Sequence, residues 1–197
     1  MKKTITLLLV VAGVWFLVIR EDQTRYGPGV AVDELPVQEK ILAPRAIRVK
    51  DYTITPLATF RIKAKVLSKA TYHWGREAEL SPVDLALGWG RMSDESVLEA
   101  IRIRQSNRWY RWRTDEFPIP RREIETHSGN MHIIPADRAV EVMLKRVRRG
   151  DIVELQGQLV RVDAEDGWRW VSSLSRKDTG SGSCEVFWVE SLEEHFL

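Results

Sequence analysis

Residues 4–19, TITLLLVVAGVWFLVI, run for sixteen positions without a charge, directly after Met1-Lys2-Lys3. An apolar run behind a short basic flank partitions into a bilayer and leaves its lysines on the cytoplasmic side. A cleaved export signal has an apolar region of roughly 7–15 residues and then small residues at the cut. Here the small pair Ala12-Gly13 is followed by Val14-Trp15-Phe16-Leu17-Val18-Ile19, and no cysteine follows to take a lipid. The run therefore reads as an uncleaved transmembrane anchor rather than a removed signal or a buried core helix. At about 1.5 Å per residue such a helix covers roughly 24 Å, against a hydrocarbon core of roughly 30 Å. Snorkelling side chains and local thinning absorb the difference. The expected location is the inner (cytoplasmic) membrane, crossed once, with bilayer contact through residues 4–19 and a periplasmic C-terminal body.

Charge narrows the partners of that body. Lys2 and Lys3 are the only charges before Arg20, so the remaining 28 basic residues meet 28 acidic ones. A globally basic nucleic-acid binder is disfavoured by that balance. A lone cysteine, Cys184, makes no internal disulfide and in the stretch SCEVFWVE reads as core packing. Eight tryptophans imply a core with large rings, or a face that binds with them.

The plan that follows has an anchor at 1–19, a juxtamembrane stalk or packed arm at 20–50, and one domain at 51–197. In that domain Phe60, Ile62, Ala64 and Val66 alternate with Thr59, Arg61, Lys63 and Lys65, the period of a half-buried strand. Ser81-Pro82-Val83-Asp84 carries three helix-start signals, a serine cap, a first-position proline and an acid that bonds back to the cap. Ser93-Asp94-Glu95 caps a second helix. IRIRQSNRWYRWR alternates as strand, and Ala139, Val140, Met143, Leu144 and Val147 mark one face of a further helix ending at Gly150. From 150 onward the chain reads as strands. Val153, Leu155 and Leu159 share one phase while Val160 and Val162 take the other, the signature of a bulge or barrel bend near Gly157. That segment resembles the strand pattern of small closed barrels of the oligonucleotide-binding kind, a likeness of fold that names no ligand. The expected class is α+β: a transmembrane helix, then a twisted antiparallel sheet or partial small barrel with two or three short helices, OB-like over 150–197.

Four patterns carry candidate chemistry. Arg108, Trp109, Arg111 and Trp112 interleave guanidinium groups with rings, an arrangement that holds anionic chains. In a strand, Trp109 and Arg111 share one face while Tyr110 and Trp112 share the other, so one aromatic face packs inward. His127, Asn130 and His132, with Glu125, are candidates for a hydrolytic or metal centre if a loop brings them together, although zinc wants three or four convergent ligands. Asp178-Thr179-Gly180-Ser181 matches an aspartic-protease signature. The basic Ser175-Arg176-Lys177 before it, and the nineteen residues after Asp178, do not supply the buried strand and second aspartate that chemistry needs. Lys145-Arg146-Val147-Arg148-Arg149 complements a helix C-terminus. No Gly-rich phosphate loop or paired-cysteine motif marks a cofactor, and none is expected.

The blocks SPVDLALGWGRMSD, NRWYRW, HSGNMHIIPAD and DGWRWVSSLSR with CEVFWVE resemble a group of bacterial hypothetical proteins with an N-terminal membrane segment. That resemblance implies an envelope setting and brings no functional residue with it. The expected function is a non-enzymatic, membrane-anchored accessory or binding protein that presents Arg108, Trp109, Arg111 and Trp112 to an envelope protein or anionic polymer. A periplasmic hydrolase built on His127, Asn130 and His132 is the alternative, and a structural subunit of a membrane complex is a third.

Overall fold

The computed structural model describes residues 24–176 and 183–195. The alternation around Phe60 belongs to a twenty-residue strand, β3 (Tyr52–Thr71), which follows the short strands β1 (Val37–Lys40) and β2 (Ile47–Val49). After it come helix α1 (Arg76–Leu80), strand β4 (Val83–Gly88), a 3-10 turn (Gly90–Ser93) and helix α2 (Glu95–Leu98). A hairpin of β5 (Arg102–Ser106) and β6 (Trp109–Arg113) leads to α3 (Arg121–Thr126) and β7 (Ser128–Pro135). The chain ends with α4 (Arg138–Arg146), β8 (Ile152–Ala164), β9 (Arg169–Val171) and β10 (Glu185–His195).

Five of these strands close on themselves. β3 pairs with β4, β4 with β7, β7 with β10, β10 with β8, and β8 returns to β3 over thirteen registered positions, Tyr52–Ala164 to Lys65–Ile152. All these pairings are antiparallel except β7 with β10. The result is a five-stranded barrel with one helix, α4, crossing between its third and fourth strands in chain order. Closure needs β3 to bend so that it can serve two neighbours. Bulges between Pro56 and Ala58 and between Val66 and Ser68 supply the bend. The phase change expected near Gly157 is not observed: Val153, Leu155 and Leu159 face the barrel and Val160 and Val162 the second core in one unbroken alternation, and Gly157 instead leaves room for the Trp188 carbonyl oxygen, which a Cβ would meet.

Inside the barrel, Phe60, Ile62, Leu85, Met131, Leu155 and Phe187 are buried, with Phe60 and Phe187 edge to face at 5.1 Å. Val140, Leu144 and Val147 of α4 and its C-terminal turn join the same core. Asp137 caps this helix by accepting from the Val140 amide at 2.9 Å. At the other end, the Lys69 ammonium on β3 donates to the carbonyls of Leu144, Lys145 and Val147 at 2.8–3.0 Å, where a cation meets the negative end of the helix. A second core outside the barrel gathers Ile54, Ile134, Val160, Val162 and Val186. A third, with Leu67, Ala86, Met92, Ile101, Ile119 and Ile124, lies under the segment that connects β4 to β7.

The expected fold class needs correction. The domain is dominated by sheet, its barrel extends across Tyr52–His195 rather than 150–197 alone, and the four helices among the described residues span only four to nine residues. Among the described residues no helix is long and apolar enough to cross a membrane. The helix expected over residues 4–19 lies outside the described residues. The helix expected after Ser81 is strand β4, all six of whose residues are buried. Val83, Leu85 and Leu87 fill the barrel while Ala86 meets the third core, and only an extended segment fills two opposite faces in this alternating way. Tertiary burial overrides the local capping signals there.

From Thr24 to Val32 the chain lies along the barrel. The Thr24 hydroxyl donates to Asp151 Oδ1 at 2.6 Å, and the Val32 amide donates to Ser93 Oγ at 2.9 Å. The Tyr26 amide donates to Glu95 Oε1 at 2.8 Å, the same oxygen that the buried Lys65 ammonium meets at 2.8 Å. Burial pulls the Glu95 pKa upward, but Lys65 and the Tyr26 and Gly27 amides outweigh it, and the net shift is downward.

Candidate functional site

The RIRQSNRWYRW run folds as a two-residue hairpin. Asn107 and Arg108 both have positive φ, 51° and 66°, as a type I′ turn requires. That turn fixes which side chains share a face. Tyr110 and Trp112 point toward the third core, where the Tyr110 hydroxyl meets Ser128 Oγ at 3.0 Å and Trp112 meets the Phe117 ring at 6.2 Å. Burial pushes the Tyr110 hydroxyl up to about 12, against the downward pull of the Ser128 bond. The opposite face is exposed and carries Arg102, Arg104, Ser106, Trp109, Arg111 and Arg113. Across the two strands Arg104 stands opposite Arg111, and Arg102 opposite Arg113. Arg111 lies 5.9 Å from the Trp109 ring centre, and Arg102 pairs with Asp115 at 2.6 Å.

The hairpin is a ridge between two depressions. On the β5 side, Arg25, Arg102, Arg104 and Arg149 surround a space of about 430 Å³, together with Glu99 and the Lys65–Glu95 pair. On the β6 side a pocket of about 370 Å³ is lined by Trp89, Trp109, Trp112, Asn130, Arg176 and Glu185, with Arg111 and Glu125 also at its wall. Arg176 approaches the Phe60 ring at 5.1 Å and places Nη2 2.9 Å from Glu185 Oε1. Its guanidinium nitrogens are buried without a hydrogen-bond partner.

The four interleaved residues divide. Trp109 and Arg111 lie on the exposed face, whereas Trp112 turns inward and Arg108 is drawn down at the hairpin tip. There its guanidinium meets the fully buried Asp84 at 2.6 Å and stacks on Tyr72 at 3.8 Å. His132 joins this buried group, with Nδ1 3.0 Å from Asp84 Oδ1 but off the line of a hydrogen bond, and its ring 4.8 Å from Trp170. Asn130 lies two residues earlier on the same outer face of β7. It accepts from Gln105 Nε2 at 2.6 Å and donates to the Arg108 carbonyl at 3.2 Å. His127, at the end of α3, places Nδ1 3.1 Å from Thr126 Oγ1 and packs its ring 6.2 Å from Trp89. Glu125 pairs with Arg121 at 2.8 Å. The candidate hydrolytic set is therefore spread over three neighbourhoods. Glu125 and Asn130 line the β6-side pocket, His132 sits with Asp84, and His127 sits against Trp89 behind that pocket. No group of three metal-ligating side chains occurs among the described residues. Asp178 lies outside them.

No family model, curated protein or solved structure matches the chain. Arrangement alone therefore carries the functional reading. Sequence reasoning missed Asp84, taken for a helix-capping residue, and Arg176, read only as a basic neighbour of Asp178. It also did not reach the register of Arg102 and Arg104 opposite Arg113 and Arg111. The signal was present, since arginines recur at every second position on both sides of an Asn-Arg turn, which places them on one face.

Proposed function

We propose that the protein is a non-enzymatic binding module that takes an anionic polymer along the exposed face of the β5–β6 hairpin. The observation that carries this reading is the register of Arg102 and Arg104 opposite Arg113 and Arg111. Like charges directly opposite each other on a sheet face destabilise it. A polymer with closely spaced negative groups removes that repulsion when it binds. Trp109, on the same face, adds an aromatic contact beside Arg111. The chain beyond Lys3 is electrically balanced, so attraction of a polyanion depends on the local clustering of these arginines rather than on net charge.

Retention of the full chain on an immobilised polyanion tests the reading. Arg104→Ala and Arg111→Ala lower the salt concentration at which it elutes, while Arg138→Ala, at an exposed position of α4, leaves it unchanged. Equal elution of all three variants overturns the hairpin assignment.

A further inference from the structure

We infer that the depression on the β5 side is a binding site for an oligophosphate, a short run of phosphoryl groups joined through shared oxygens, so that the anionic polymer taken by the hairpin is a polyphosphate chain. The inference rests on the hairpin reading above. It starts from the charges around that space of about 430 Å³. Lys65 and Glu95 line it but neutralise each other at 2.8 Å. Of the other charges at its wall, four are the arginines Arg25, Arg102, Arg104 and Arg149, and one is the carboxylate of Glu99. Arg102 also reaches Asp115 at 2.6 Å. Arg25, Arg104 and Arg149 are exposed and make no ion pair among the described residues. Their donors are open to a ligand.

The fold builds this convergence from three separate segments. Arg25 comes from the N-terminal arm, Arg102 and Arg104 from β5, and Arg149 from the turn after α4. The residues on either side of Arg25 are tied down. The Thr24 amide donates to the Arg149 carbonyl at 3.3 Å and its hydroxyl to Asp151, while the Tyr26 amide donates to Glu95. Gly150, with φ 93°, allows the approach, because a Cβ there would run into the Thr24 carbonyl oxygen. Arm and turn are thus locked together where each contributes an arginine. The floor beneath them is apolar, with Val66, Leu67 and Ile101 buried. Clustered charge above a low-dielectric wall focuses its field on an incoming anion.

Charge density decides the kind of anion. A guanidinium fork matches paired oxygens of a phosphate or a carboxylate. A lone carboxylate brings one charge, and a phosphodiester strand separates its charges by sugars, so either leaves most of the four arginines unanswered. Phosphoryl groups joined directly put charge on every successive unit within the same space. A nucleic-acid strand also gains affinity from stacked bases. None of the residues lining the depression is aromatic, and the exposed hairpin face offers one ring, Trp109. Arg104 belongs both to the depression and to that face, where it stands opposite Arg111. A chain leaving the depression over Arg104 continues along the hairpin toward Arg111.

The test titrates the full chain by calorimetry with tripolyphosphate, citrate, long-chain polyphosphate and oligothymidine. Tripolyphosphate is short enough to lie within the depression, and citrate spreads its charge over separate carboxylates. Tripolyphosphate is expected to bind at one site, about tenfold or more tighter than citrate. Arg25→Ala and Arg149→Ala, with the fold checked by circular dichroism, each weaken it about tenfold, the loss of a charged hydrogen bond, while Arg138→Ala leaves it unchanged. Citrate binding as tightly as tripolyphosphate, or tripolyphosphate indifferent to either pocket variant, overturns the oligophosphate site, and the hairpin reading stands if retention still depends on Arg104 and Arg111. Oligothymidine binding as tightly as long-chain polyphosphate of equal charge assigns the hairpin to nucleic acid and likewise overturns the site. Binding to no anionic probe overturns both.

Discussion

The Arg108 guanidinium reaches from the tip of an exposed hairpin to the Asp84 carboxylate, 2.6 Å away on the fully buried outer face of β4. Tyr72 stacks beneath the guanidinium at 3.8 Å, and the Tyr72 hydroxyl accepts from the Arg108 amide at 3.0 Å. Together with the Gln105–Asn130 and Tyr110–Ser128 bonds, this pair pins the β5–β6 ridge to the barrel, so the arginine face above it has a fixed position relative to the two depressions beside it.

Arg108 adopts a left-handed backbone conformation, with φ 66°, that a non-glycine residue takes at a cost of about 1–2 kcal/mol. Arg108→Gly relieves that strain and also removes the partner of a buried carboxylate, a loss of about 3–5 kcal/mol. The second effect is larger. Arg108→Gly is therefore expected to lower stability in urea unfolding by about 1–4 kcal/mol, the difference between those two costs. A more stable variant would show that the ion pair is not what holds the hairpin.

Arg111→Glu separates binding from stability. It converts the Arg104–Arg111 repulsion into an attraction across the strands, worth about 0.2–1 kcal/mol. Its thermal midpoint rises slightly while polyanion retention falls. A fall in both would mean that the arginine pairs serve the fold.

Acid should release the N-terminal arm before it unfolds the barrel. Asp94 accepts the Gly29 amide and Glu95 the Tyr26 amide, and both carboxyls are held below their ordinary values, with burial opposing the shift and the hydrogen bonds outweighing it. A carboxyl depressed in the folded state contributes stability that is complete above its unfolded pKa and lost as pH falls through the folded one. For Glu95 that loss begins below its ordinary value of 4.5. Amide exchange at Tyr26 and Gly29 should accelerate there while the amides of β8 stay protected.

Glu95→Gln keeps an acceptor for the Tyr26 amide but leaves the Lys65 ammonium, 1% exposed, without its counter-charge. The cost is about 3–5 kcal/mol, and the Lys65→Met/Glu95→Gln double variant recovers part of it. Equal stability of the single and double variants in denaturant unfolding would place the loss elsewhere.

Gly157→Ala is expected to destabilise by more than the roughly 1 kcal/mol typical of a point substitution, since the methyl group meets backbone at Trp188 rather than a side chain that can move. Urea unfolding midpoints measure it.

Periodic features were legible in the sequence because they are local. The alternation of Phe60–Val66, the apolar face of α4 and the two faces of the RWYRWR run all follow from residues a few positions apart. The partners that give those features meaning were not legible. β3 closes the barrel with β8, and Lys65 with Ile152 at one end of that ladder are 87 positions apart. Ser81-Pro82-Val83-Asp84 carried helix-start signals, yet it became strand because both its faces are buried by segments far away in the chain. The Asp84–Arg108 pair, the Arg176–Glu185 contact and the seating of Thr24–Val32 against Ser93–Glu95 likewise depend on closure. The sequence by itself set the periods and the charged and aromatic faces. Only the tertiary structure decided which faces are covered, since burial is a property of what lies opposite, and what lies opposite is fixed by pairing across the whole chain.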